Sequence, residues 1–509
     1  MPIALTGNDL AFAQLYDVAL RDEKVSLAPA AVERMNASRA VVERLARSGE
    51  TAYGINTGFG KLASVRISAE QVQQLQINLV RSHACGVGPP LSEPETRAMM
   101  LLRANALAKG LSGCRPIVVE RLCDLLNAGV HPVIPSQGSV GASGDLAPLA
   151  HLALAVIGEG EARFRGQTLP AAEALRGAAL APLALEAKEG LSLLNGTQGM
   201  LALLSLSLRD ADNLADTADV AAALSLDALK GSPSAFDERV LRARPYAGAM
   251  KSGQSLARLN VGSEIRESHR SAASDPRVQD AYSLRCTPQT HGAVRDALAQ
   301  ARATAQVELN SATDNPLVFV RDAGTGAGDI VSGGNFHGQP LAMAADQAAV
   351  ALAALGNISE RRIEQMTNPL TSLLPAFLTP QPGLHSGFMI AQVSAASLAA
   401  ENRALAAPHS VHSITTSGNQ EDFVSMGMSG ARRLERMLAN LRHVLAIELL
   451  CACQGIDFHA PLRTGALAQK AYELVRAKSS KVTGDRALAQ DISEVAALVG
   501  AGSLSALLQ

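Results

Sequence analysis

The sequence is poor in aromatic residues: tryptophan is absent, and Phe, Tyr and Trp together make up 3% of 509 residues. Sheet-rich domains favour β-branched and aromatic residues, so this scarcity argues against an all-β protein. Alanine and leucine, which have high helix propensity, are abundant instead. We therefore predict a mainly α-helical fold, and the length of the chain favours two or three domains.

Metal-binding and disulfide patterns are also missing. Six cysteines are scattered without a CxxC pair, and none of the eleven histidines lies in an HExxH motif. We therefore predict no bound metal and reduced, mostly buried thiols. The first twenty residues lack a basic segment followed by an apolar run, so we predict no signal peptide and a cytoplasmic protein.

The charge pattern gives no sign of a nucleic-acid or membrane partner. The formal net charge is −2, and neither sign forms a long run, so the basic surface of a nucleic-acid-binding protein is not expected. Residues 365–400 carry no Asp, Glu, Lys or Arg, but they contain four prolines and many hydroxyl and amide side chains. A lipid-facing helix does not tolerate such a composition, so we predict no membrane span.

Apolar residues at helical spacing predict helices along most of the chain. Short and medium helices fill the first 150 residues, and Ser92, Pro94 and Glu95 form a start signal for one of them. Longer helices are predicted beyond residue 200, at 200–230, 293–307 and 431–453.

This change in helix length suggests two domains. We predict a smaller, mostly helical N-terminal domain at 1–199, and a long-helix bundle with a C-terminal helical region at 200–509. One β-hairpin is expected at 316–320, where a short apolar run precedes three glycines.

Residues 138–145, GSVGASGD, form a glycine-rich loop between two helical patterns. Asp145 follows Gly144 where a P-loop requires lysine, and it replaces the last glycine of a GxSxG nucleophile elbow. The preceding segment is too short for the strand of a dinucleotide-binding motif. We predict that Asp145 caps the helix that begins at Leu146.

The tripeptide Ala142-Ser143-Gly144 offers a different chemistry. Glycine has no side chain to obstruct a close backbone approach, so in a tightly bent loop the Gly144 nitrogen could attack the Ala142 carbonyl carbon. Loss of one water from the ring and a second from the Ser143 hydroxyl would leave a 4-methylidene-imidazol-5-one, a carbon electrophile. Many loops contain this tripeptide, so a plain connector stays open as the alternative from these residues alone.

The segment GSVGASGDLAPLAH at 138–151 resembles the signature of the aromatic amino acid ammonia-lyases. Seven further segments resemble the same family in the same order: TAYGINTGFG at 51–60, LLNGTQ at 193–198, QDAYSLRCTPQ at 279–289, SATDNPL at 311–317, SGGNFHGQP at 332–340, SGFMIAQ at 386–392 and NQEDFVSMG at 419–427. The resemblance covers nearly the whole chain. It implies a carbon–nitrogen lyase with an aspartase/fumarase-like helical bundle, assembled as a homotetramer with shared active sites.

The resemblance also implies the parts of the site. The electrophile would be the 4-methylidene-imidazol-5-one made from Ala142, Ser143 and Gly144, with no external cofactor. Tyr53, in a lid loop, matches the base that removes the β-proton, and Arg285 matches the residue that binds the substrate carboxylate. The remaining matches are polar positions that line the site and an aromatic near the ring, namely Asn195, Gln279, Tyr282 and Phe336.

Two residues bear on the choice of amino acid substrate. Glu421 matches an acidic residue near a substrate imidazole, and His83 matches a position that contacts the substrate side chain. Together they favour L-histidine, with trans-urocanate and ammonia as products, in the first step of histidine degradation. Three residues depart from the pattern of that branch: His385, His412 and Phe423. The alternatives are a phenylalanine or tyrosine ammonia-lyase, an aminomutase with the same electrophile, and an inactive helical scaffold.

Overall fold

The computed structural model describes residues 1–48, 54–55, 57, 67–68, 71–271, 275 and 277–509. Nineteen α-helices and nine short strands lie in this described part of the chain. The mainly α class predicted from the sequence is therefore confirmed.

The N-terminal part combines short strands with helices of 6 to 20 residues. In chain order they are β1 (Ile3–Leu5), α1 (Phe12–Arg21), β2 (Val25–Leu27), α2 (Pro29–Ser48), α3 (Val72–His83), β3 (Val87–Pro90), α4 (Glu93–Ala108), α5 (Pro116–Ala128), β4 (His131–Pro132), β5 (Pro135–Gln137), α6 (Leu146–Val156), β6 (Glu161–Phe164), β7 (Gln167–Pro170), α7 (Ala171–Gly177) and α8 (Glu189–Leu194).

Beyond residue 197, long helices alternate with short ones, and the three long helices predicted at 200–230, 293–307 and 431–453 are present. The remaining elements are α9 (Gln198–Ala228), α10 (Glu238–Arg242), α11 (Ala247–Leu259), α12 (Glu264–Ser268), α13 (Tyr282–Arg285), α14 (Thr287–Leu309), β8 (Leu317–Asp322), β9 (Ala327–Val331), α15 (Gln339–Thr367), α16 (Met389–Leu405), α17 (Gly427–Asp457), α18 (Ala466–Arg476) and α19 (Ala489–Gly500). Short 3₁₀ helices span Pro233–Phe236, Ala376–Leu378, Ser417–Asn419 and Ser505–Leu508.

The chain forms two compact units, each made of three segments. The first unit comprises residues 1–206, 302–346 and 408–432, and the second comprises 207–301, 347–407 and 433–509. The predicted domains, 1–199 and 200–509, are each a single continuous segment, unlike these units. That division stays a prediction.

The strands form small sheets in the first unit. β1 pairs with β2 in parallel, β3 pairs with β5 and β8 with β9 in antiparallel fashion, and β4, β6 and β7 form one three-stranded sheet. The predicted hairpin at 316–320 is confirmed by β8 and β9, in which Val318 pairs with Ile330.

Helix ends follow local sequence signals. Ser92 caps α4 in a capping box with Glu95: the Ser92 amide donates to the Glu95 carboxylate at 2.7 Å, and the Ser92 hydroxyl accepts from the Glu95 amide at 3.4 Å. Gly129 ends α5 at a φ of 70°, in the left-handed region that glycine adopts readily. These signals act over a few residues, which is why the sequence predicts them well.

Two long helices have a composition that would also suit a membrane. By length and hydropathy α15 and α17 qualify as spans, but 67% and 83% of their most apolar windows are buried inside the protein. Burial of this extent is that of core helices.

Candidate active site

The loop of residues 138–145 is bent at its glycines. Gly138, Gly141 and Gly144 have φ angles of 121°, 69° and 74°, in the region that favours glycine. Gly144 forms an isolated bridge with Gly196, and a Cβ atom on Gly144 would lie 2.0 Å from the Gly196 carbonyl oxygen. Residue 144 therefore has to be glycine, as the cyclisation hypothesis also requires.

Two distant segments hold the middle of the loop by hydrogen bonds. The Gly141 carbonyl accepts from the Gly338 amide at 3.2 Å and from the Ser425 hydroxyl at 2.9 Å. The Val140 carbonyl accepts from the Met426 amide at 2.8 Å. The segments 332–340 and 419–427, which resemble family motifs, thus meet the loop that carries the tripeptide.

Asp145 occupies the N-cap position of α6, but its side chain makes no capping hydrogen bond to that helix, so the prediction that it caps α6 is wrong. Its carboxylate instead accepts from the Met200 amide in the first turn of α9 at 2.8 Å, and from the Ser139 hydroxyl at 2.8 Å. The first amides of every helix lack partners within the helix, and the Asp145 carboxylate accepts a hydrogen bond from one of these amides in α9. Burial raises the pKa of Asp145 to about 6, against the hydrogen bonds from Met200 and Ser139.

The Glu421 carboxylate is bonded through both of its oxygens. The Ser143 hydroxyl donates to Oε1 at 2.9 Å, and the Thr416 hydroxyl donates to Oε2 at 2.8 Å. The backbones of Thr416 and Glu421 also pair, with the Thr416 amide donating to the Glu421 carbonyl at 2.9 Å. The serine of the tripeptide and the carboxylate predicted to contact the substrate imidazole are therefore direct neighbours.

A cavity of about 310 Å³ opens beside these groups. Its lining includes the tripeptide, Ser82, His83, Cys85, Thr416 and Glu421. Nδ1 of His83 lies 2.9 Å from the Leu79 carbonyl, and burial lowers the pKa of His83. A neutral ring that donates from Nδ1 to this carbonyl leaves Nε2 as an acceptor. The cavity is within the size range of small-molecule sites.

Asn195 is buried next to Gly196 in the first unit. Its Nδ2 donates to the Asn315 carbonyl at 3.1 Å and lies 3.4 Å from Oδ1 of Asp314. Asp314 in turn forms a buried ion pair with Lys188 at 2.6 Å. Within the described residues, Oδ1 of Asn195 is buried without a hydrogen-bond partner, and a buried acceptor of this kind is costly unless a ligand satisfies it.

Tyr53 lies outside the described residues, but the chain directly after it is buried. A Cβ atom on Gly54 would lie 2.8 Å from the Leu191 side chain and 3.1 Å from Pro316. Ile55 packs in a hydrophobic cluster with Val41, Val42, Leu45 and Val318. The end of the TAYGI segment is thus fixed to the same part of the first unit as Asn195.

Phe336 is half-buried in the first unit. The next residue, His337, stacks on the Phe423 ring with centroids 5.8 Å apart, and its Nε2 lies 3.2 Å from the Phe423 carbonyl. Phe423, one of the departures noted from the sequence, therefore contacts the segment that carries Phe336.

Tyr282 and Arg285 lie together in the second unit, on the single turn of α13. The Arg285 guanidinium lies over the Tyr282 ring, 4.6 Å from its centroid. The Nε atom of Arg285 is buried and has no hydrogen-bond partner among the described residues. Tyr282 is 70% exposed, and Gln279 is exposed as well.

A buried network of charges backs this turn within the second unit. Arg362 donates to both oxygens of Glu448, at 2.5 and 3.0 Å, and to the Ser283 carbonyl of α13 at 3.4 Å. Nδ1 of His291 lies 2.7 Å from Asp219, and its Nε2 lies 3.4 Å from Arg362. Burial lowers the pKa of His291, which fits a neutral ring that donates to Asp219 and accepts from Arg362.

The predicted residues thus fall into two groups. The first unit brings the tripeptide, His83 and Glu421 to one cavity and places Asn195 and Phe336 in the same unit, while Arg285 and Tyr282 form a pair in the second. Sequence reasoning missed Thr416, Gly196 and Asp314. The last two stand inside motif segments already noted, at 193–198 and 311–317, whereas Thr416 is recognised only from its contact with Glu421.

Comparison with protein families gives one match over most of the chain. The model of the aromatic amino acid lyase family matches residues 10–477. Histidine ammonia-lyase from Koribacter versatilis is 54% identical over 510 aligned residues, covering 99% of this chain and 98% of the relative.

Solved structures of similar proteins share the fold over the whole chain. The crystal structure of histidine ammonia-lyase from Trypanosoma cruzi is 41% identical with a TM-score of 0.91, covering 100% of this chain and 95% of that one. Tyrosine aminomutase from Streptomyces globisporus is 38% identical with a TM-score of 0.94, covering 100% and 98%.

Proposed function

The chain belongs to the aromatic amino acid lyase family, and we propose that it eliminates ammonia from L-histidine to give trans-urocanate. The observation that carries the proposal is the cavity in which Ser143, Glu421 and His83 meet. A carboxylate and a neutral imidazole in one cavity suit a substrate ring that both donates and accepts hydrogen bonds. A phenyl ring would leave these polar groups without partners.

The electrophile would form from Ala142, Ser143 and Gly144. Attack of the Gly144 nitrogen on the Ala142 carbonyl carbon closes the ring, and two waters leave, one from the ring and one with the Ser143 hydroxyl. The tight approach of Gly144 to Gly196, which excludes any side chain at residue 144, supports this assignment. When formed, the group supplies an electrophilic carbon that makes the substrate amine a better leaving group.

The remaining residues would bind the substrate and move its proton. Tyr53 would remove the β-proton, a task that requires the phenol pKa to be lowered by its surroundings. Arg285 would bind the carboxylate, since a guanidinium matches two carboxylate oxygens; its unpaired Nε supports this role.

The polar and aromatic residues around the reacting atoms complete the proposed site. Asn195 would donate or accept at the electrophile, and its buried, unpartnered Oδ1 supports a polar contact there. Tyr282 and Gln279 would line the site as polar groups, and Phe336 would pack near the ring. No cofactor from outside the chain is needed in this proposal.

We also propose a homotetramer in the cytoplasm. Exposed apolar side chains on α15 and α16, among them Val350, Ile390 and Val393, support burial against other copies of the chain. The six cysteines are free thiols, and this supports a reducing compartment.

The decisive experiment offers purified protein L-histidine, L-phenylalanine and L-tyrosine separately. We expect the highest kcat/KM for L-histidine, with urocanate followed by its ultraviolet absorbance. Preferential formation of cinnamate, coumarate or a β-amino acid would overturn the substrate assignment. The similarity to a tyrosine aminomutase at 38% identity makes the β-amino acid arm of the assay necessary.

A further inference from the structure

We propose that Thr416 is a positioning residue for substrate choice: its hydroxyl holds one oxygen of the Glu421 carboxylate so that the other faces the cavity beside Ser143 and His83. This inference rests on the proposed function, in which Glu421 meets the substrate imidazole. It adds to that function a residue that need not touch the substrate.

The contact is local and supported by the backbone. Thr416 and Glu421 pair through two backbone hydrogen bonds, at 2.9 and 3.4 Å, in addition to the 2.8 Å bond between their side chains. The three residues that follow Thr416 all have positive φ angles, 51° for Ser417, 58° for Gly418 and 69° for Asn419. Such a turn is unfavourable for residues other than glycine, and the pairing of its two ends keeps it closed.

The two oxygens of the Glu421 carboxylate differ in whether they keep their hydrogen-bond partner once the tripeptide reacts. The Ser143 hydroxyl bonds Oε1, and this hydroxyl leaves as water when the electrophile forms. The Thr416 hydroxyl bonds Oε2 and is not consumed. After maturation, Oε1 has therefore lost a partner and is free to accept from an imidazole N–H, while Oε2 is still held by Thr416.

The stiffness of threonine suits this task, and a side chain of similar shape is available to test it. Its β-branched side chain is restricted at χ1, so a hydroxyl held in one rotamer orients the carboxylate with little loss of entropy. Valine has nearly the same shape without the hydroxyl, which isolates the hydrogen bond from the packing. The neighbouring Thr415 is exposed and provides a matched control.

The experiment compares Thr416→Val, Thr416→Ser and Thr415→Val with the unaltered enzyme. For Thr416→Val we expect kcat/KM for L-histidine to fall by about 10- to 100-fold, the usual worth of a hydrogen bond to a charged group. The loss should be mainly a rise in KM, because the imidazole is held in the ground state and the transition state alike. Thr416→Ser should stay within about threefold of the unaltered enzyme, and Thr415→Val should not differ from it.

Two further readouts separate positioning from folding. Turnover of L-phenylalanine, which offers no imidazole, should be the same in Thr416→Val as in the unaltered enzyme. The mass of each variant should show the same loss of two waters. An equal loss on both substrates, or a missing mass deficit in Thr416→Val, would overturn the role proposed for Thr416.

Failure of this inference is distinct from failure of the proposed function. If the unaltered enzyme makes urocanate and Thr416→Val does so equally well, only the role of Thr416 is overturned. If the unaltered enzyme makes no urocanate, the proposed function itself is wrong and the role of Thr416 falls with it.

Discussion

The loop of residues 138–145 in the first unit and the α13 turn in the second unit are held by different kinds of contact. The loop is held mainly through its backbone: the Val140 and Gly141 carbonyls accept hydrogen bonds, and Gly144 lies against Gly196. The α13 turn backs onto a buried ion pair, Arg362 with Glu448, through the Ser283 carbonyl.

The two arrangements suit what each segment is proposed to do. Backbone contacts fix peptide atoms, and in the loop the peptide atoms themselves are proposed to react. The buried ion pair fixes a turn whose side chains, Tyr282 and Arg285, would bind the substrate. A substitution in the loop should therefore remove activity with a modest loss of stability. A substitution in the ion pair should instead lower the free energy of unfolding as its main effect.

The largest expected effect is that of Gly144→Ala, which adds a Cβ where the Gly196 carbonyl oxygen lies 2.0 Å away. We expect turnover to fall by roughly a thousandfold or more, because the loop cannot keep the geometry for cyclisation. Initial rates and the mass of the loop fragment measure this loss.

A matched control for this change is Gly129→Ala. Gly129 has a similar φ of 70° but nothing within 4 Å of an added Cβ, so it carries the conformational penalty of about 1 kcal/mol without the clash. Full activity in Gly129→Ala together with loss of activity in Gly144→Ala would support the role of the close contact between Gly144 and Gly196. Normal turnover by Gly144→Ala would contradict it.

The next effect concerns the fully buried ion pair of the second unit. Arg362→Met leaves Glu448 as a buried charge without its main partner, and we expect the free energy of unfolding to fall by about 3–5 kcal/mol. Urea denaturation measures this change. Removing both charges, in Arg362→Met with Glu448→Leu, should recover part of the loss, since no unpaired charge remains.

The control for the ion pair is Arg242→Met in the same unit. Arg242 pairs with Glu238 on the surface, and exposed pairs add little to stability, so this variant should unfold like the unaltered protein. Equal free energies of unfolding for Arg362→Met and Arg242→Met would show that the buried pair does not stabilise the protein as proposed.

The smallest expected effect is a pH dependence from Asp145, the one carboxylate within the loop. Its folded-state pKa is raised to about 6 by burial, so between about pH 4 and 6 the folded protein holds a proton that the unfolded chain has lost. The free energy of unfolding should therefore fall as pH rises through this window, by roughly 2–3 kcal/mol, and be flat above it.

Asp145→Asn should remove this slope. The comparison is made in the Ser143→Ala background, so that both proteins carry an uncyclised loop, and unfolding is followed from pH 4 to pH 7. Glu23→Gln, at an exposed position, should keep the slope. A slope of the same size in Asp145→Asn would assign the pH dependence to another group.

Much of the fold was predictable because its signals are local. The capping box of Ser92 and Glu95, the end of α5 at Gly129 and the hairpin at β8 and β9 each depend on a few adjacent residues. The long helices α9, α14 and α17 were predicted from their apolar periodicity, which needs only the chain itself, whereas the 29-residue helix α15 was not predicted.

The site was predictable only in part, because its contacts join distant segments. Asp145 was assigned to the nearer helix, whereas in the structure it bonds the amides of α9, 55 residues further along the chain. The Arg362 and Glu448 pair is separated by 86 residues, and no spacing rule indicates it. Tyr53 lies outside the described residues, so its role as base stays a proposal.

The measurement that tests the central claim most directly is the mass of the fragment containing residues 138–145, from digestion of the folded, purified protein. If Ala142, Ser143 and Gly144 cyclise as proposed, this fragment is lighter than its translated sequence by two water molecules. In Ser143→Ala the serine hydroxyl is absent, so that deficit cannot appear and activity should be lost while the fold is kept. An unaltered fragment with its full translated mass, from protein that is folded and active, would contradict the account.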